Sequence, residues 1–225
     1  MPPPTLAFHT EVSPEDVHCE GVSRLSSRDF RYAEELGFAI KLLAIAKDND
    51  GQIEVRVHPV FIPEDSLLAK VDGVYNAVLI EGDLVDKVLF FGQGAGPLPT
   101  SSAVIADVIS AAREIRLGVP GPARWQLETG KAIKSMSELE TRYYLRLNAV
   151  DRPGVLAQVA RALGDHNISI SSAIQKPADP VAKTAEIVII THTAREQAMQ
   201  AALAEMARFP VVNEISNFVR VEAQE

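Results

Sequence analysis

Residues 90–100 read FFGQGAGPLPT, with Gly92, Gly94 and Gly96 at every second position between an apolar run and a helix-like stretch. Glycines in that place let backbone N–H groups meet a polar or anionic group at a helix N-terminus. A dinucleotide fingerprint needs G-x-G-x-x-G after a strand, with an acid about 20 residues further on. Here Pro97 stands where the third glycine belongs, and no following strand ends in an acid. The loop is therefore either a contact for part of a ligand or a turn that needs positive φ twice. A second candidate is Asp151-Arg152-Pro153-Gly154 at the head of a helix, with Asn167 beyond that helix. A loop and first helical turn offer free N–H groups to a carboxylate, and Asn167 can add an amide, so an amino-acid ligand suits this chemistry. The alternative is a tight turn with Pro153 at N1 or N2.

Other reactive side chains form no constellation. His9, His18, His58, His166 and His192 are scattered without metal-ligand spacing. Cys19 lies in VHCE, whose acid disfavours a thiolate, and Lys41 in IKLLAIA reads as a strand lysine that reaches solvent.

The elements that must position these loops are partly legible. SSRDFRYAEELG predicts a short helix capped by Ser26 or Ser27 and closed by Gly37. Ile40–Ala46 and Ile53–Ile62 flank Asn49-Asp50-Gly51, a hairpin signal, and Tyr75–Glu81 and Lys87–Phe91 flank Gly82-Asp83. After the glycine loop, Thr100 or Ser101 can cap a helix with Val104, Val108 and Ala111 or Ala112 on one face, ending at Gly118. These pieces predict a mostly antiparallel sheet with helices, without a βαβ unit of its own. Residues 119–141 read as a linker, with Trp125 packed on a neighbouring domain. From Tyr143 the order is βαββαβ, the ferredoxin-like arrangement. It comprises strands at Tyr143–Val150, Asn167–Ile174, Ala185–Thr191 and Val212–Val221. One helix carries Leu156, Val159, Ala160 and Leu163; the other opens on a Thr193-x-x-Glu196 capping box and carries Met199, Ala202, Leu203 and Met206. KPADPVAK reads as a loop. The fold class is α+β.

Composition bounds the function. The 225 residues have a formal charge of −8, all of it within residues 1–140, and no basic stripe, which argues against nucleic acid. No apolar run is long enough to span a membrane, and no signal-like start is evident. One cysteine cannot form an internal disulfide, which suits a reducing, cytoplasmic setting.

Two stretches carry a resemblance. YYLRLNAVDRPGVLAQVARALGDHNISISSAIQK resembles the opening of an ACT domain, the small-molecule-sensing module of many amino-acid biosynthetic enzymes, with residues 142–222 matching. LAFHTEVSPEDVHCEGVSRLSSRDFRYAEELGFAIKLLAIAK, EVRVHPVFIP, VDGVYNAVLIEGD and FFGQGAGPLPTSSAVIADV resemble the C-terminal part of the homoserine dehydrogenase catalytic region, over about 6–110.

The resemblance implies three parts: a portion of the catalytic and substrate domain at 1–118, a linker at 119–141 and an ACT regulatory domain at 142–225. It implies the family's NAD(P)-dependent interconversion of L-homoserine and L-aspartate 4-semialdehyde. The loop would turn toward the nicotinamide, with Gly94, Gly96 and Thr100 on the cofactor side. The ACT part would sense an end product, threonine, with Asp151, Gly154 and Asn167 in its site, across a subunit interface of a homo-oligomer. The family's cofactor fingerprint, substrate-binding acids and catalytic lysine belong upstream of Leu6, and MPPPT matches none of them. The expectation is therefore no tight NAD(P) binding and no dehydrogenase activity by this chain alone. The rival readings are a free-standing amino-acid-binding regulator and a product of a mis-assigned start.

Overall fold

The structure, a computed structural model, describes residues 3–49, 51–118, 131–179 and 183–222. Contacts divide it into two compact units, residues 1–64 with 128–225, and residues 65–127.

The larger unit opens with α1 (Pro3–Phe8), β1 (His18–Cys19) and α2 (Ser27–Glu35), followed by the hairpin β2 (Phe38–Asn49) and β3 (Gln52–Pro63). The hairpin register runs from Phe38↔Pro63 to Asn49↔Gln52, so two residues turn the chain, and Gly51 takes φ +86° as such a tight turn requires. Asp50 lies outside the described residues.

The smaller unit supplies β4 (Tyr75–Gly82), β5 (Asp86–Gln93) and α3 (Pro97–Leu117). Returning to the larger unit, β6 (Ala132–Ile133), β7 (Glu140–Val150), α4 (Val155–Asp165), β8 (Ile170–Asp179), β9 (Thr184–Thr191), β10 (Ala194–Arg195), α5 (Glu196–Met206) and β11 (Val212–Val221) complete the chain. Strands β11, β7, β9 and β8 lie side by side in that order and all pair antiparallel, the ferredoxin-like order expected of βαββαβ.

That four-stranded sheet does not stand alone. β11 pairs parallel with β3 at Arg220↔Val60 and Val221↔Phe61. The same edge of β3 also pairs parallel with β1, at His18↔Arg56, and with β6, at Gln52↔Ala132. The carbonyls of Ile53, Val57 and Phe61 accept the N–H groups of Lys134, Glu20 and Glu222 at 2.9, 2.8 and 2.9 Å. Pro59, which has no N–H to offer, falls between the β1 and β11 pairings. One strand edge is thus shared by three segments distant in sequence. The sheet is more mixed than the expected, mostly antiparallel one, because these parallel pairings join pieces with no local signal.

Each face of the sheet is covered. On one side α4 and α5 bury Val155, Val159, Ala162, Leu163, Met199, Ala202, Leu203 and Met206 against Tyr143, Leu145, Leu147, Ile187 and Ile189. The expected α5 stripe is therefore the buried one. The α4 stripe is rotated: Leu156 is 37% exposed, and Val155 and Ala162 are buried with Val159 and Leu163. On the other side α2 lays Tyr32 and Ala33 on Tyr144, Val188, Ile190, Val219 and Val221, joined by Phe61, whose ring stacks on Tyr144 at 4.4 Å.

Several local expectations shift for physical reasons. The cap of α5 is Arg195, not Thr193, because β10 pairs with β7 up to Arg195 and the Glu196 carboxylate is engaged by Arg220 at 2.7 and 2.9 Å. Pro153 sits before the helix rather than inside it, since Gly154, at φ +89°, is the residue that precedes α4. The segment around Asn167 is not yet strand: Asn167 has φ 58° and β8 begins at Ile170, extending to Asp179 through part of the expected loop. Of the segment read as linker, residues 119–130, and Trp125 with them, lie outside the described residues. The remainder carries β6 and a 3-10 turn at Met136–Glu138.

In the smaller unit β4 and β5 pair from Tyr75↔Gln93 to Gly82↔Asp86, with Asp86 at φ 54°, and Tyr75 stacks on Phe91 at 4.8 Å. α3 starts at Pro97, ahead of the expected caps, because Gly96 caps it and Pro97 fits the first turn. The expected apolar face is present but unburied: none of α3's residues is buried, and Val104 and Val108 are exposed.

Candidate effector site

Where β7 ends, the chain turns through Asp151-Arg152-Pro153-Gly154 into α4 and encloses an open-sided cleft of about 420 Å³. Its floor is Val150, Val155, Ala185 and Ile187, and Gln175 of β8 reaches its rim. The turn is held by backbone bonds from Val150 to Val211 (2.9 Å), Asp151 to Lys183 (3.0 Å) and Arg152 to Val150 (3.1 Å). Gly154 is required by its backbone rather than by crowding, because an added Cβ would meet nothing within 4 Å while φ is +89°.

The first intrahelical bond of α4 runs from Gln158 N–H to Gly154 O at 3.1 Å, which leaves first-turn N–H groups at the cleft end of the helix. Their partial positive charge favours a carboxylate there. In the turn before the helix, the Asp151 carboxylate accepts from the Gln175 amide at 3.4 Å and can bind an ammonium. A cleft lined by an acid, the start of a helix and apolar side chains suits a small α-amino acid, whose ammonium and carboxylate leave the same carbon as its side chain.

The structure thus brings Asp151 and Gly154 together and leaves Asn167 apart. Asn167 follows the far end of α4, an 11-residue helix about 16 Å long, and its N–H caps the helix by bonding Gly164 O at 2.9 Å. Sequence reasoning missed Gln175, Ala185 and Ile187. Strand alternation places Ala185 and Ile187 on the helix-covered face, but only the tertiary register puts them under the Asp151 loop.

On the opposite face of the same strands lies a buried polar cluster with no sequence motif. Asp29 of α2, fully buried, accepts from Arg146 Nε at 2.8 Å, from Arg146 Nη2 at 3.2 Å, from the Tyr144 hydroxyl at 3.0 Å, and from Ser26 N–H and hydroxyl at 2.8 Å each. Burial opposes ionisation of Asp29, yet the Arg146 fork and Ser26 hold its carboxyl below the usual range. Arg146 Nη1 also donates to Glu186 at 2.8 Å, and Glu186 accepts from the Tyr32 hydroxyl and from Arg28 at 3.4 Å. Burial, and then the Glu186 carboxylate, push the Tyr32 phenol up to about 12.

The glycine loop belongs to the smaller unit. Gly94, Gly96 and Thr100 share one strand-to-helix turn: Gly94 N–H donates to Val74 O at 3.2 Å and Thr100 N–H to Gly96 O at 3.2 Å. A Cβ on Gly94 would lie 2.1 Å from Asn76 Nδ2, and Gly96 has φ +125°. Gly94 and Gly96 are exposed, so the loop offers its backbone to solvent ahead of α3. His58 is buried in β3, Lys41 is partnered rather than free, and Cys19 is exposed. Among the described residues no group of His, Cys, Asp and Glu is placed to hold a metal, and no helix is long and apolar enough to cross a membrane.

A βαββαβ unit with a cleft at its first β–α turn, preceded by a helix and hairpin segment that pairs with its last strand, defines the architecture. Comparison with known proteins names both parts. Residues 4–109 belong to the homoserine dehydrogenase family, and residues 143–210 are an ACT domain. The homoserine dehydrogenase of Neisseria gonorrhoeae is 44% identical over 97% of this chain and 51% of its own length, and that of Synechocystis 40% identical over 96% and 52%. A solved homoserine dehydrogenase from Thiobacillus denitrificans superposes with TM-score 0.84 at 39% identity over 98% of this chain and 51% of that one; one from S. aureus gives 0.65 at 25% identity. The chain spans about half the length of the relatives it matches.

Proposed function

We propose that this chain is the substrate-domain tail and regulatory part of a homoserine dehydrogenase, with modules at 1–118 and 142–225 joined by 119–141, and that its ACT domain senses threonine. The reaction of the whole enzyme would be interconversion of L-homoserine and L-aspartate 4-semialdehyde, a step toward threonine, methionine and isoleucine in the cytoplasm. When bound, NAD(P) would supply the hydride. From this chain Gly94, Gly96 and Thr100 would face the cofactor through backbone N–H and hydroxyl groups, and no residue of this chain would serve as the catalytic acid or base. Alone, the chain would bind NAD(P) weakly and carry out no turnover.

The observation that carries the regulatory reading is the cleft itself, which is lined by Asp151, by the start of α4 and by the apolar Val150, Val155, Ala185 and Ile187. The ammonium of threonine would meet Asp151, its carboxylate the first turn of α4, and its hydroxyl Gln175. The test is a thermal-shift titration of the purified chain with threonine, and with serine, isoleucine and lysine as comparators. Threonine at about 100 times its Kd adds roughly 2.7 kcal/mol to stability. A flat response to all four amino acids would overturn the sensing function, and homoserine-dependent reduction of NAD(P) by the pure chain would overturn the lack of turnover.

A further inference from the structure

Glu186 has two neighbours with a different duty from its own. Ala185 and Ile187 are buried in the floor of the effector cleft, while the side chain between them projects to the opposite face of β9, as strand alternation demands. There it meets α2, a helix contributed by the homoserine dehydrogenase segment rather than by the ACT domain. We propose that Glu186, Arg146 and Asp29 form a latch through which occupancy of the cleft changes how firmly α2 is held on the sheet. This inference rests on the reading of the cleft as an effector site.

The connection is short and continuous. Glu186 accepts from Tyr32 and Arg28 of α2 and from Arg146 of β7, and Arg146 passes on to Asp29 of α2 by two further bonds. Arg146 and Val150 lie on one strand, Val150 forming the cleft wall, and Asn148 between them pairs directly with Glu186. Both strands that floor the cleft therefore end, on their other face, in the groups that grip α2. Asp29 and Arg146 are buried, and the charges in the cluster balance: two carboxylates face the two guanidinium groups of Arg146 and Arg28. Such a cluster does not deform by small degrees. Displacing one oxygen at Glu186 unpairs a donor, so a shift of β9 under a bound ligand favours either the closed cluster or an open one. Glu186 is a positioning residue in this scheme, acting on α2 and touching no ligand.

The experiment is amide hydrogen exchange of the whole chain with and without saturating threonine, following peptides from α2, with the β4–β5 hairpin as a reference. Threonine is expected to change α2 exchange by about fivefold or more, the lower end of ordinary coupling between sites, and to leave the hairpin unchanged. Tyr32→Phe removes one hydroxyl and keeps the packing, and Glu186→Gln keeps the volume and removes the charge. Both should still bind threonine in the thermal-shift titration, with a Kd shifted by no more than the coupling factor itself, while losing the response of α2. Binding without any change in α2 in the wild-type chain, or an undiminished change in both variants, overturns the latch. Absence of binding by the wild-type chain overturns the effector site and the latch with it.

Discussion

His58 gives the fold a calculable sensitivity to acid. It is fully buried on β3, and its ring Nδ1 lies 2.9 Å from Pro59 O, the geometry of a neutral ring donating to that carbonyl. Burial dominates, and the nearby positive charges of Arg220 and Arg56 add to it; against them the Pro59 carbonyl and Glu20 are too weak. The result is a pKa lowered from 6.5 to about 4. Because the folded value is depressed, the unfolded chain takes up a proton first as pH falls. Stability is thus full above about pH 6.5 and declines until pH reaches about 4, a total of about 3 kcal/mol. Between pH 7 and pH 5 the share is about 2 kcal/mol, in a range where carboxylates remain ionised in both states. Urea unfolding followed by far-UV circular dichroism at pH 7, 6 and 5 measures this directly. His58→Gln removes the titrating group, so the variant should lose about 2 kcal/mol less than wild type over the same range, whatever its absolute stability. Parallel curves for the two proteins would refute the account of a neutral, buried His58.

Two further perturbations follow from the same structure. Glu196→Ala strands the buried Arg220 guanidinium with Glu20 as its remaining carboxylate partner at 2.9 Å; urea unfolding should show a loss near the lower end of the 3–5 kcal/mol typical of a broken buried pair, about 3 kcal/mol, while Glu140→Ala, in an exposed pair with Arg195, should leave the midpoint in place. Gly96→Ala forces a side chain onto φ +125° and should weaken the first turn of α3 by about 1–3 kcal/mol in amide exchange, whereas Gly92→Ala, with nothing within 4 Å of the new Cβ, should not.

Local signals were the readable part of this sequence. Asn49-Asp50-Gly51 marks the hairpin, Met199, Ala202, Leu203 and Met206 mark the buried side of α5, and Val212–Val221 is read to the residue, because each rests on neighbours within a few positions. Pairings of β3 with β1, β6 and β11 left no such mark, since each parallel contact spans only two residue pairs and joins segments up to 160 residues apart. Half of the cleft was legible for the same reason: Asp151 and Gly154 sit in a recognisable turn, but Ala185, Ile187 and Gln175 enter by sheet register. The Thr193-x-x-Glu196 pattern shows how a correct local rule loses to tertiary chemistry, as a buried guanidinium outbids a helix cap for the Glu196 carboxylate.

The joining of the two family segments is a consequence of covering a sheet on every side. A ferredoxin-like sheet carries its two helices on one face, and the other face must meet something apolar or remain wet. Here Tyr144, Val188, Ile190, Val219 and Val221 make that second face apolar, and α2 with Phe61 of β3 closes it. Apolar contact alone would let α2 slide. The Asp29–Arg146 fork fixes its position, because only one placement satisfies both guanidinium nitrogens and the Ser26 cap together. At the sheet edge, Arg220 of β11 reaches Glu20 beyond β1, so the last strand of the βαββαβ unit is tied to the homoserine dehydrogenase segment by side chain as well as by backbone. The cleft beside Asp151 and the helix α2 thus lie on opposite faces of one sheet.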